Sequence, residues 1–253
     1  MIRRFAICAR NWAAAFFDPR PLLALRFLPR YFAEWIRYTR SAPGQEVRVL
    51  DLQPCLRDRS SHTPFDAHYY YQGAWLARKI AKARIAPHVD VGSSVLTISV
   101  LSAWVDTVFV DYRPLESSLP GLSSLAADIL QLPFRDRSID SLSCLHVIEH
   151  IGLGRYGDAL APEGSVLAAV ELQRVLRPGG KLFLSLPIGR ERVCFNAHRV
   201  HAPASVLRMF EQMELAEFSY VDDAGRYLEH QHPSCADELR YGCGLFHFEK
   251  RVS

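Results

Sequence analysis

The sequence predicts an α/β fold of the Rossmann-like kind, built on a mostly parallel sheet. Three observations predict it. From residue 88 onward, short apolar runs alternate with stretches of helical periodicity, the pattern of successive βαβ units. The three early runs each reach an aspartate: Asp90 within residues 88–92, Asp111 after 105–110, and Asp128 after 125–127. A later helical pattern, 164–176, is turned by Pro178-Gly179-Gly180 into another apolar run, 181–186.

The elements follow in order. Residues 1–17 pattern as an amphipathic helix carrying Phe5, Trp12, Phe16 and Phe17, which Asp18-Pro19-Arg20-Pro21 ends. A second helix is expected over 22–39, with Leu22, Leu23, Leu25, Phe27, Leu28, Phe32, Trp35 and Ile36 apolar; Pro29 must kink or divide it. Residues 41–44 form a linker, and 47–52 read as a short strand before a polar stretch, 53–64. Residues 65–85 form a helix whose buried side includes Ala74, Ala77, Ile80, Ala81 and Ile85. Its early turns carry His68, Tyr69, Tyr70, Tyr71 and Gln72. Then come strand 88–91, helix 94–103, strand 105–110, strand 125–127, strand 140–147, helix 164–176, strand 181–186 and helix 205–213. Strands 218–221 and 245–248 close the chain, adjacent and antiparallel, for seven strands in all. This divides the chain into a basic helical extension (1–44), a cap and lid segment (45–87) and the main domain (88–253).

Composition narrows the class. The chain has 253 residues, 49% hydrophobic and 23% charged, enough for one large core and a small accessory segment. The net charge is only +3, which argues against a general nucleic-acid binder. The charge is uneven: residues 1–40 hold eight arginines against Asp18 and Glu34, a net +6. Such a basic, aromatic-bearing segment suits either a covering role on the domain or a partner protein, or a peripheral contact with an anionic membrane surface. Six cysteines show no C-x-x-C pair and no zinc spacing, and Cys144 reads as a core residue. No 18-residue apolar run and no clean signal-peptide pattern occur, so the expected location is the cytoplasm, or the cytoplasmic face of an inner membrane.

The ordered motifs resemble the class I S-adenosylmethionine-dependent methyltransferases over residues 65–250. They are Asp90-Val91-Gly92-Ser93-Ser94-Val95-Leu96, Asp111, Asp128-Ile129, Leu132-Pro133-Phe134, Val147-Ile148-Glu149-His150-Ile151 and Val175-Leu176-Arg177-Pro178-Gly179-Gly180. Ser94 and Leu96 stand where the family places its second and third glycines. Within this superfamily the chain resembles an uncharacterised domain family, associated with bacterial surface polysaccharide pathways, that shares the DAHYYYQ stretch. The resemblance implies a class I methyltransferase fold and S-adenosylmethionine as cofactor. It implies cofactor contacts from Tyr71, Asp90, Gly92, Ser93, Asp111, Asp128, Ile129 and His146. For each aspartate the alternative is a turn or helix-cap carboxylate; Tyr71 could equally be ordinary helix packing, and Ser93 and Ser94 could cap the next helix.

Methyl transfer to a hydroxyl benefits from a base near neutral pKa, and histidine fits. His146, His150 and His198 are the candidate catalytic residues. If the chain turns helical after strand 140–147, His146, Glu149 and His150 share one face. That set could hold a divalent metal with His198 or His201, although metal binding is not the favoured reading. Asn196, His198 and Arg199 are candidates for contacting sugar hydroxyls or phosphate. The expected activity is methyl transfer to a glycan, sugar nucleotide or related small acceptor. The alternative is an inactive methyltransferase-like scaffold in an envelope polysaccharide complex. A nicotinamide enzyme lacks its glycine fingerprint here, and a nucleic-acid methyltransferase lacks its N/D-P-P-Y/F motif.

Overall fold

The computed structural model describes residues 6, 12–13, 20–41, 44, 47–83, 85–113 and 115–252. They divide into two units, Met1–Pro64 and Phe65–Ser253. The expected helix over 1–17 lies almost wholly outside the described residues.

In the first unit, α1 (Arg20–Ala24) runs through a 3-10 turn, Leu25–Phe27, into α2 (Leu28–Ser41). Pro29 therefore divides the 22–39 pattern rather than kinking it. It stands in the first turn of α2, where its missing N–H deprives no intrahelical bond. Arg26 and Arg30 lie over the Phe27 ring at 4.7 and 5.4 Å. Leu22, Leu23, Leu25, Phe32 and Ile36 are exposed. The strand expected at 47–52 is a 3-10 turn, Val49–Asp51, with Leu50 97% exposed. Among the described residues those apolar residues have no neighbouring strand to pair with, and an unpaired strand has no stability of its own.

The second unit opens with α3 (Ala67–Ala83), capped by Asp66, whose Oδ1 accepts the backbone N–H of His68 at 2.9 Å and Tyr69 at 3.2 Å. Its buried face is Gln72, Trp75, Leu76 and Ile80, while Ala81 is exposed. The expected alanine face is offset because the large side chains, not the alanines, reach the sheet. There follow β1 (His88–Val91), α4 (Val95–Leu101), β2 (Thr107–Asp111), β3 (Leu122–Ala126), β4 (Ile139–Leu145), α5 (Gly164–Val175), β5 (Leu176–Ile188), β6 (Arg192–Cys194), β7 (His198–Val200), α6 (Pro203–Met209), β8 (Met213–Val221), β9 (Tyr227–Leu228) and β10 (Gly242–Lys250).

The main sheet has eight strands in the order β3-β2-β1-β4-β5-β10-β8-β9. The first five are parallel; β10 runs antiparallel between β5 and β8. The extra strand beyond the expected seven is the two-residue β9, which folds back on Tyr220 and Val221 at the sheet edge. β6 and β7 form a separate hairpin. β3 starts three residues before its expected place because Ser123 and Ser124, exposed along the edge, carry no apolar signal.

Period-two alternation distributes the core to both faces. Leu182, Leu184 and Leu186 of β5 join Val91, Val110, Leu142 and Ile148 in one cluster, while Phe183 joins Trp75, Leu76, Phe109 and Leu245 in the other. The Arg177-Pro178-Gly179-Gly180 turn lies inside β5 and shifts its register with β4 between Ile139 and Ser141. A Cβ on Gly180 would fall 2.8 Å from the Arg177 carbonyl and 2.9 Å from that of Ile139, so only glycine fits. Arg174, one turn before, binds Glu171, the Leu132 and Phe134 carbonyls and Asp136; Glu171 in turn accepts the Leu132 N–H. The Leu132-Pro133-Phe134 motif is thus pinned to α5 by one guanidinium.

Candidate active site

A parallel sheet leaves its ligand crevice beyond the carboxyl ends of its strands. Here a cavity of about 460 Å³ opens at the ends of β1, β2 and β4, lined among others by Gly92, Asp111, Asp128, Ile129, His146 and His150. Asp111 is mostly buried and uses Oδ1 to accept the Arg113 N–H at 2.7 Å. Asp128 accepts the Leu130 N–H at 2.8 Å. Both are turn carboxylates with acceptor capacity to spare, so the turn role leaves oxygens free toward the cavity. Gly92 has φ +67°, and a Cβ there would come within 3.2 Å of both Val147 methyls and 3.7 Å of Asp111 Oδ2. The backbone therefore passes the cavity at a place where a side chain has no room. Tyr156 and Arg113 form the rim, the guanidinium 4.9 Å from the ring centroid.

Three expected contacts do not line this cavity. Asp90 is fully buried: Oδ1 accepts the Ser93 N–H at 3.1 Å, and Oδ2 accepts the Ser93 hydroxyl at 2.6 Å and the Ser143 hydroxyl. Ser93, also buried, accepts the Leu145 N–H at 3.0 Å and so ties β1 to β4. Ser94 occupies the cap position of α4 without a side-chain capping bond. Tyr71 is stacked on Tyr227 with ring centroids 5.1 Å apart, and it is Tyr69 that lies over His146 at 5.5 Å. Gln72 is buried against Ser185 of β5.

The Asp90 network extends to His88, whose Nδ1 and Nε2 each lie 2.8 Å from a hydroxyl, Ser141 and Ser143 respectively. Because Ser143 donates to Asp90, it must accept from Nε2–H, and Nδ1 accepts from Ser141. Burial depresses the His88 pKa to about 3. Burial raises the Asp90 carboxyl to about 6, against the pull of its serine hydrogen bonds.

After β4 the chain enters a tight turn, not a helix, and His146 takes a left-handed φ of +56°. The turn, rather than a helix face, gathers the motif. The His146 Nδ1 lies 2.8 Å from Glu149 Oε1, and His150 Nε2 lies 3.7 Å from the same oxygen. Burial opposes the charge on His146, but the Cys243 sulfur and the Glu149 carboxylate outweigh it and raise the imidazole well above its ordinary value. Glu149, wholly buried, is held below the usual carboxylate range by His146 despite desolvation. His150 donates from Nδ1 to the Ala197 carbonyl at 2.6 Å, which leaves Nε2 as the acceptor. Burial lowers the pKa of His150 and of His198.

His198 joins the group through Tyr241, whose ring is 5.1 Å from it and 5.3 Å from His68; His68 stacks on His146 at 5.6 Å. Cys243 Sγ lies 3.4 Å from His146 Nε2. Arg199 does not face the cavity. Its guanidinium is spent on the Ile151, Ala161 and Pro162 carbonyls, bracing the loop before α5. His201 is buried in its bridge to Ile188. Sequence reasoning missed Tyr241 and Cys243 altogether and gave His68 no role. A lone cysteine or tyrosine at the mouth of an apolar strand carries no local signal of what stands opposite.

Residues 123–237, less than half of the chain, match the family model described as "Caenorhabditis protein of unknown function, DUF268". No curated protein matches the chain. Among solved structures, a protein assigned as a sarcosine dimethylglycine methyltransferase from Galdieria sulphuraria aligns with TM-score 0.53 at 12% identity, over 72% of this chain and 86% of that one. The [4+2]-cyclase SpnF aligns with TM-score 0.52 at 16% identity, over 71% and 82%. The YcgJ protein of Bacillus subtilis aligns with TM-score 0.50 at 13% identity, over 73% and all of that chain. At such identities the likeness is one of fold, and one of these relatives is a cyclase. The chain has the Rossmann-like α/β fold of the class I methyltransferases.

Proposed function

We propose that the protein is an S-adenosylmethionine-dependent methyltransferase acting on a hydroxyl of a glycan, sugar nucleotide or related small acceptor. The observation that carries this reading is Asp111 at the end of β2, beside the side-chain-free passage at Gly92, in a cavity of about 460 Å³. The residues present fit the cofactor. Asp111 has a carboxylate oxygen for the ribose hydroxyls, Asp128 one for the adenine amino group, and Ile129 an apolar surface for the ring. When bound, the cofactor supplies a methyl group on a sulfonium, which needs no covalent help from the protein.

The chain's own work is to orient the acceptor, exclude water and take a proton. His150 is suited to taking the proton. Its Nδ1–H is held by Ala197, its Nε2 is left as the acceptor, and its lowered pKa keeps it neutral at pH 7. His198, half-buried beyond Tyr241, is the second candidate. His146 has both ring nitrogens engaged and serves as a positioning residue. His150→Gln is expected to lower kcat by roughly a hundredfold or more with KM little changed. The acid limb of kcat/KM, set by a base whose pKa lies below 6.5, should disappear in that variant. A variant that keeps both full kcat and the acid limb would remove His150 from this role.

The resemblance to a family of surface polysaccharide pathways supports a glycan acceptor, and the arginine-rich extension supports a peripheral contact at the cytoplasmic face of an inner membrane or with an envelope-biosynthesis protein. No helix among the described residues is long and apolar enough to cross a membrane. Cosedimentation with anionic vesicles should fall several-fold on joint replacement of Arg26, Arg30 and Arg37 by glutamate, and absence of vesicle binding by the wild-type chain would favour a protein partner. The altered turn at Ser94 and Leu96 keeps the inactive scaffold as the alternative that cofactor binding must defeat.

A further inference from the structure

His68 near the start of α3, His146 at the end of β4 and Cys243 in β10 come from three distant parts of the chain. One nitrogen of each histidine and the sulfur all lie within 4.8 Å of one another. We propose that these three residues bind a borderline-soft divalent metal ion of the zinc type. Tetrahedral coordination at ordinary zinc–sulfur and zinc–nitrogen lengths separates S and N by about 3.6 Å. Cys243 Sγ and His146 Nε2 are already 3.4 Å apart. A nitrogen of His68, which is only half-buried, lies within 4.8 Å of both.

The surroundings are those of a metal ligand. A coordinating imidazole commonly hands its other nitrogen to a carboxylate that fixes the ring. His146 Nδ1 is held in this way by Glu149 at 2.8 Å, and Glu149 is wholly buried with its second oxygen, Oε2, unpartnered. His146 is held at a positive φ, a conformation a non-glycine residue keeps only when its surroundings demand it. The donor set contains two nitrogens, one sulfur and no oxygen, which selects zinc-like ions and disfavours magnesium and calcium. Three protein ligands leave a fourth position for water or a substrate group, as in catalytic rather than structural zinc sites. This set differs from the His146, Glu149 and His150 combination, completed by His198 or His201, expected from spacing: Glu149 backs the ligand instead of binding the ion. The inference does not depend on cofactor binding, since the site is complete without it.

The test uses the full chain, stripped with a chelator and titrated with Co²⁺ as an optical probe. One equivalent should produce visible d–d bands and a near-ultraviolet thiolate-to-cobalt charge-transfer band. Zn²⁺ should displace it stoichiometrically, and excess Mg²⁺ should not. Cys243→Ser should abolish the charge-transfer band. His68→Ala, at a half-buried helix position that tolerates truncation, should weaken Co²⁺ binding at least tenfold. Glu149→Gln should weaken it by roughly ten- to a hundredfold. Joint replacement of the exposed Cys55 and Cys235 by serine should change nothing. Absence of a charge-transfer band in the wild-type chain would overturn the proposal. So would a band that survives Cys243→Ser, or one lost with the exposed cysteines, in variants whose circular dichroism shows them folded.

Discussion

Asp111→Ala is expected to weaken S-adenosylmethionine binding by roughly a hundred- to a ten-thousandfold while leaving the fold intact. In the proposed cofactor site the carboxylate would accept charge-assisted hydrogen bonds from two ribose hydroxyls, worth about 1.5–3 kcal/mol each, and each 1.4 kcal/mol is tenfold in affinity. Structurally it does much less, accepting one backbone N–H from Arg113. Calorimetry with the cofactor and its demethylated product therefore separates the two roles: Kd should rise steeply while the melting temperature barely moves. Asn at the same position should fall between, since its amide keeps one acceptor oxygen. Equal binding by wild type and Asp111→Ala would remove this carboxylate from the site. Failure of the folded wild type to bind, with and without added zinc, would favour the scaffold alternative.

Asp90→Ala, at the next strand over, should have the opposite profile and destabilise the fold by about 3–5 kcal/mol. It strands three buried donors, the hydroxyls of Ser93 and Ser143 and the Ser93 N–H, and leaves a void between β1 and β4. Urea unfolding should show a lower midpoint at unchanged slope, and a loss under about 1 kcal/mol would show that the network is dispensable. The pH dependence is also readable. His88, depressed from 6.5 to about 3, contributes stability that is fully present above 6.5 and is lost as pH falls toward 3. Asp90, raised from 3.8 to about 6, contributes stability that is present below 3.8 and is lost as pH rises toward 6. The slopes have opposite signs over the shared window, so the wild type should be nearly flat there. Asp90→Asn, which keeps the shape but cannot titrate, should unmask the histidine and lose about 1.4 kcal/mol per pH unit below 6.5. A flat Asp90→Asn profile would contradict the neutral, doubly bonded His88.

Much of the fold was legible. The central strands and α5 carry apolar periodicity that no alternative element satisfies, so their order and type follow from local pattern. The glycines at 92 and 180 announce places where backbone must pass close to something. The errors cluster where tertiary context overrides pattern. Residues 47–52 have strand composition and no partner strand among the described residues. β3 is a polar edge strand whose pairing with β2, not its composition, defines it. After β4 the chain makes a tight turn rather than the helical turn that would have set His146, Glu149 and His150 on one face, with His146 in the left-handed region at its start.

The site was legible in kind but not in membership. Asp90 and Asp111 look alike in the sequence, each an acid at the end of an apolar run. Register separates them: Asp90 stands opposite Phe109, inside the sheet, whereas Asp111 stands one residue beyond the Val91–Val110 pair. One carboxylate is therefore sealed among serines and the other meets the cavity. Tyr69 and Tyr71 likewise differ by the direction in which α3 presents them, one toward His146 and one toward Tyr227.

By itself the sequence determined the α/β class, the succession of parallel strands and the carboxylates at their ends, because hydrophobic periodicity and turn chemistry act over a few residues. Only the tertiary structure decided which carboxylate reaches the cavity and which side chains meet His146. Cys243 arrives there from 97 positions away, because antiparallel β10 is inserted beside β5. Strand insertion of that kind depends on the shape of the whole core, and no local stretch of chain encodes it.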